Sequence, residues 1–159
     1  MAALEAGATL PTAALPALGG GELTIPGSGP LTLVFVFKES CVTCRLALPF
    51  VQVLHEEAAA DLTIRAIIQD DESTASRLAV ELGLTFPIAI ETEPWPVSES
   101  YGLLTVPTSF LVDESGEIEL TSVGFSGDDL LQIAGRASAQ TESRLAKLFP
   151  PDVPVFRPG

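Results

Sequence analysis

Apolar residues along this chain fall into two kinds of pattern, short dense runs and longer stretches with a period of three to four. The densest run is Leu31–Phe37, six apolar residues in seven, rich in β-branched and aromatic types. It predicts a strand buried on both faces, as at the centre of a parallel or mixed sheet. The period then changes. Leu46, Phe50, Val53 and Leu54 share one face of a helix expected to reach about Ala60, with Pro49 as its one interruption. Residues 62–68 read as the next strand and close a β-α-β unit whose connection should be right-handed. Asp70, Asp71 and Glu72 then open a helix that ends at Gly83, with the acids at its electropositive end.

Residues 86–90 predict a short strand. Residues 91–104, with Trp95 between two prolines and the pair Tyr101-Gly102, predict a loop with a single helical turn at most. Two further strands, 108–113 and 117–123, flank Asp113-Glu114-Ser115-Gly116, a hairpin connection with Gly116 available for positive φ. Ser126-Gly127-Asp128-Asp129 is a capping-type start for a helix carrying Leu130, Leu131, Ile133, Ala134 and Ala137. A short helix over 141–148 follows, stopped by Phe149-Pro150-Pro151, and the last nine residues read as a proline-rich tail. At the other end, residues 1–30 are rich in Ala, Gly, Pro and Thr. They predict two short edge strands joined by a glycine turn, a hairpin or lid on the sheet, with the first ten residues either packed or disordered.

Composition narrows the class. A chain of 159 residues with 47% hydrophobic and 18% charged residues is globular and long enough for one real core. Eight basic against 21 acidic residues, a net charge of −13, exclude nucleic acid and anionic membrane surfaces as natural partners. No run approaches the length of a membrane helix, and the first residues lack the basic and apolar regions of a signal peptide. The expectation is a cytoplasmic protein, with a trimmed periplasmic or secreted form as the alternative.

The candidate chemistry lies just past the first long strand. Cys41 and Cys44, the only two cysteines, are separated by Val42 and Thr43 at a strand-to-helix junction. Unpaired N–H groups and the helix dipole at such a position stabilise a thiolate, and the spacing brings both sulfurs to one helix end. Zinc is the competing reading, but tetrahedral zinc needs four ligands, and the single histidine, His55, lies eleven residues beyond Cys44 and is expected on the surface. A pair of inert core cysteines is the other competitor. In a reducing compartment a lone Cys-x-x-Cys is catalytic more often than structural.

The order of elements, with Cys41-Val42-Thr43-Cys44-Arg45 and Pro49, then Tyr101-Gly102-Leu103-Leu104-Thr105-Val106-Pro107-Thr108 and the hairpin, resembles the thioredoxin superfamily and, within it, the redoxin branch. The likeness spans about residues 10–138. It implies an α/β thioredoxin-like fold, a central mixed β-sheet flanked by helices with an N-terminal β-hairpin extension. Residues 1–138 would form that domain, its extension being 1–30, and 139–159 a C-terminal helix and tail. It implies a thiol-disulfide oxidoreductase with catalytic Cys41 and Cys44, cycling through a Cys41–Cys44 disulfide without metal or organic cofactor. Thr105, Val106 and a cis Pro107 would hold the substrate, a protein or small-molecule disulfide, and a dithiol would donate electrons. Lys38, Glu39 and Arg45 are the charges placed to tune the thiols. Two positions depart from the pattern. Glu39 and Ser40 stand where an aromatic usually precedes the first cysteine, and Phe35 and Ala47 occupy the usual sites of a buried carboxylate. Two alternatives remain: a peroxiredoxin-like peroxidase with Cys44 as the reacting thiol, and a non-catalytic interaction domain.

Overall fold

The computed structural model describes residues 2–150 and 155–159. Its centre is β3 (Leu31–Phe37), in which all seven residues are buried. On one side β3 pairs in parallel with β4 (Thr63–Ile68), and β4 with β5 (Ile88–Ile90). On the other it pairs antiparallel with β6 (Thr108–Asp113), and β6 with β7 (Ile118–Val123). The result is a mixed sheet of order β5-β4-β3-β6-β7.

Both faces of β3 need cover, because alternate residues point opposite ways. Leu33, Phe35 and Phe37 face a core shared with α1 (Val42–Ala58) and α4 (Gly127–Ala137). Val34 and Val36 face a second core that contains Leu10, Ile25, Tyr101 and Phe110. The helices start where short polar side chains satisfy free N–H groups. Asp71 caps α2 (Glu72–Leu82), Ser126 caps α4, and Ser138 caps α5 (Ala139–Leu148). Gly83 ends α2 at φ 66°, a left-handed cap open to glycine. Pro49 lies inside α1 on its exposed side, so its missing N–H bond faces water. Phe50 of α1, Phe125 and Phe149 close the first core as an aromatic cluster, with centroids 4.7 to 6.5 Å apart.

The glycine-rich start of the chain forms the expected hairpin, β1 (Ala13–Pro16) against β2 (Glu22–Ile25). Of the two readings for the first ten residues, packing is the outcome. Leu4 N donates to Tyr101 O, Gly7 N to Ile118 O and Leu10 N to Gly116 O, and Leu10 is 1% exposed. The stretch 91–104 holds its one helical turn, α3 (Pro96–Ser100). The sequence reads the last nine residues as a proline-rich tail, and the structure adds a strand within it. Residues 151–154 lie outside the described residues, but Phe156–Arg157 is a strand, β9, paired antiparallel with β8 (Phe125–Ser126). Main-chain pairing holds it, which apolar periodicity does not report. No described helix is long and apolar enough to cross a membrane.

Candidate active site

The register of β3 against β6 builds the site. Val36 lies opposite Thr108, so the residue before β6, Pro107, comes beside the turn that leaves β3. That turn, residues 38–41, delivers Cys41 to the N-cap of α1 in extended conformation. A serine or aspartate oxygen usually fills this position; here Cys41 Sγ accepts from Cys44 N at 3.0 Å. The same sulfur is 3.5 Å from Val106 O, to which a protonated Cys41 donates. The Val106–Pro107 bond is cis, as are Ile25–Pro26 and Glu93–Pro94, which sequence reasoning did not single out. The loop around it is held by Gly124 N donating to Pro107 O and Thr108 Oγ1 to Thr105 O.

The two sulfurs differ in surroundings. Cys41 is half-buried at the surface and Cys44 is fully buried, and the two stand as free thiols, the reduced pair with which the expected cycle begins. Burial first, then the hydrogen bond with Cys41 and its charge, push the Cys44 thiol well above the usual range. Phe35 and Ala47, at the expected carboxylate positions, are buried apolar neighbours in the same core.

The three charged residues expected to tune the thiols are engaged elsewhere. Arg45 binds Glu39 at 2.9 Å and Glu81 at 3.1 Å, and these carboxylates raise its pKa. Glu39 N in turn donates to Asp70 Oδ2. Lys38 Nζ stands 4.1 Å from the ring centre of Trp95, a cation–π contact. No hydrogen bond to either sulfur from these three side chains is found among the described residues. His55 lies in the last turn of α1, edge-on to Phe86 and about 20 Å along the helix from Cys41. No cluster of metal-ligating side chains occurs among the described residues.

Two features escaped sequence reasoning. A polar cleft of about 300 Å³ adjoins the cysteine turn, lined by Lys38, Ser40, Gln69, Asp70 and Trp95 among others. Its only advance signal was Asp70-Asp71 at the end of the strand next to β3. The other is residues 157–159, which lie against Thr43, Thr105 and Val106, and for which the sequence carried no signal.

A mixed sheet with a dithiol at the N-cap of its first long helix, facing a cis-proline loop, defines a thioredoxin-like protein. The comparisons agree. The Redoxin family model matches residues 5–134. The sporulation thiol-disulfide oxidoreductase A of Bacillus subtilis is 31% identical over 110 residues, 66% of this chain and 66% of its own length. The thiol-disulfide oxidoreductase ResA of Halalkalibacterium halodurans is 27% identical over 58% of this chain and 53% of its own. Among solved structures, the thioredoxin domain of a thiol-disulfide oxidoreductase from Bacteroides vulgatus superposes with a TM-score of 0.73 at 22% identity, over 84% of this chain and 97% of that one. The chain belongs to the Redoxin family.

Proposed function

We propose that this protein reduces or exchanges disulfides of polypeptides through Cys41 and Cys44. The observation that carries the reading is the Cys41 sulfur, half-exposed at a helix N-cap, next to the Val106 carbonyl and with Cys44 directly behind it. Cys41 thiolate attacks one sulfur of the substrate disulfide, forming a mixed disulfide and releasing the other sulfur as a thiolate. Cys44 loses its proton and attacks Cys41; the mixed disulfide breaks, and the substrate leaves fully reduced. The protein is left with a Cys41–Cys44 disulfide, which a dithiol donor reduces. Thr105, Val106 and Pro107 form the wall along which the substrate chain lies. Lys38, Glu39 and Arg45 shape the rim, where the Glu39–Arg45 pair cancels its own charges and the Lys38 ammonium lies over Trp95. The cycle uses no metal or organic cofactor. Against a peroxidase weighs the position of Cys44, the residue that would meet peroxide, at 0% exposure.

Cys41→Ser should abolish the reduction of insulin disulfides, and Cys44→Ser should accumulate mixed disulfides on Cys41. Peroxide turnover that survives Cys41→Ser would refute the proposal and favour a peroxidase.

A further inference from the structure

The groove beside Cys41 already has an occupant. Residues 155 and 156 pair with the start of α4 and with β8, and the chain then continues in extended form so that 157–159 lie along the groove. Gly127 N donates to Val155 O at 2.8 Å, Arg157 lies opposite Phe125, and Thr43 Oγ1 donates to Pro158 O at 2.7 Å. Gly124 has a left-handed φ of 81°, and a β-carbon there would come within 2.6 Å of Arg157 O. Gly159 sits so close to Val106 that a β-carbon on it would collide with the Val106 carbonyl and lie 2.8 Å from Thr105 Oγ1. That carbonyl is the one facing Cys41 Sγ. Cys41, Val42 and Thr43 on one side and Thr105 and Val106 on the other enclose a cleft of about 480 Å³, with 157–159 as part of its wall.

How the segment is held matters as much as where. Val155 and Phe156 are 67% and 58% exposed, so most of their surface stays in water. Main-chain hydrogen bonds, close contacts and the Thr43 hydroxyl do the holding, the way an extended peptide is recognised at an exposed strand. Few net hydrogen bonds make such a contact reversible.

We propose that residues 156–159 act as a built-in pseudo-substrate, a strap in the groove through which a disulfide-bearing polypeptide reaches Cys41. This rests on the dithiol reading above and adds a regulation to it. A protein substrate has to displace the strap and take over contacts to Thr43 and Val106. A small disulfide reaches Cys41 without displacing it.

Two variants test this: deletion of 155–159, and Gly159→Val, which keeps the segment but drives residue 159 off Val106. In a Cys44→Ser background, both should react with a bulky maleimide at Cys41 about threefold to tenfold faster, with iodoacetamide little changed. With both cysteines present, kcat/KM for insulin should rise by a similar factor, while that for a small aromatic disulfide stays level. Unchanged maleimide and insulin rates in both variants would overturn the strap. So would slower insulin reduction, which would make the segment an aid to binding, or an equal rise for the small disulfide, which would place its effect on the thiols and not on access. If no form reduces insulin yet maleimide access rises, the strap stands and the oxidoreductase reading falls.

Discussion

Following the decay of a mixed disulfide on Cys41 from about pH 6 to pH 9.5 isolates one event, the ionisation of Cys44. In the dithiol, three causes hold that proton on: burial, the hydrogen bond with Cys41, and its charge. Once Cys41 is tied to substrate its sulfur carries no charge, so the second and third causes weaken and burial remains. Only the thiolate attacks, and each pKa unit is a factor of ten, or about 1.36 kcal/mol. Starting from the reference value of 9.0 and moving upward, fewer than about one Cys44 in a hundred is ionised at pH 7. The greater nucleophilicity of a more basic thiolate recovers part of that deficit, with a Brønsted slope of about 0.4–0.5, but leaves the pH dependence intact. Resolution should therefore climb about tenfold per pH unit across the range. Single-turnover quenching of a preformed mixed disulfide measures it. The structure also places a remedy. Ala47, three residues on from Cys44 and 3% exposed, shares its helix face. Ala47→Glu supplies a base, and Ala47→Gln adds the same bulk without one, each at an overpacking cost of about 1–3 kcal/mol. Only the glutamate should raise the rate at pH 7 and flatten the profile. A wild-type profile flat with pH, or a glutamine variant as fast as the glutamate, would refute the reasoning.

Other expectations follow from the same geometry. The reduced protein should lose stability in alkali, because the raised folded-state pKa of Cys44 favours the neutral thiol. That contribution is whole below the unfolded pKa and is lost as pH rises past about 9 toward the folded value, at about 1.4 kcal/mol per pH unit, in urea titrations. Cys44→Ala should lack this slope. Cys41→Ser keeps an acceptor for Cys44 N, whereas Cys41→Ala removes it, so the alanine protein should be less stable by about 1 kcal/mol in thermal melts. Glu91, 2% exposed, accepts from Val97 N at 2.6 Å, Ser98 N at 3.1 Å and Ser98 Oγ at 2.5 Å, and so fixes α3. Glu91→Ala should lower stability by about 2–3 kcal/mol through the donors it strands, with insulin reduction preserved in the folded fraction.

What the sequence made legible was whatever a local pattern encodes. β3 announces itself by an unbroken apolar run, α1 by its period, the β6–β7 hairpin by Gly116, and the dithiol by its position between strand and helix. Residues 2–10 are pinned by backbone bonds to Tyr101 and Ile118, and main-chain pairing leaves no trace in side-chain type. β9 is two exposed residues held the same way. Glu91 reads as a loop acid, and only the fold brings the N-terminus of α3 onto it. Lys38, Glu39 and Arg45 are neighbours of the two cysteines in the chain, which is all that sequence order reports. Their partners, Trp95 and Glu81, come from distant elements, and those decide where the charges point.

An open five-stranded sheet has two exposed edges, and each is a template on which a second molecule can add a strand. In this protein one stretch of chain guards both. Ala17 bridges Ala89, and Leu18 N donates to Ile88 O, on the outer side of β5. Thr9 bridges Glu117, and Gly7 N and Ala8 O bond Ile118, on the outer side of β7. The hairpin region is thus a device against self-association, beyond any part it has in the core. A version of the protein starting at Leu31 would keep the dithiol, the cis-proline loop and most of the acidic surface. It would also present two bare ladders to its own copies, and aggregation by edge pairing, more than loss of redox chemistry, is how it should fail.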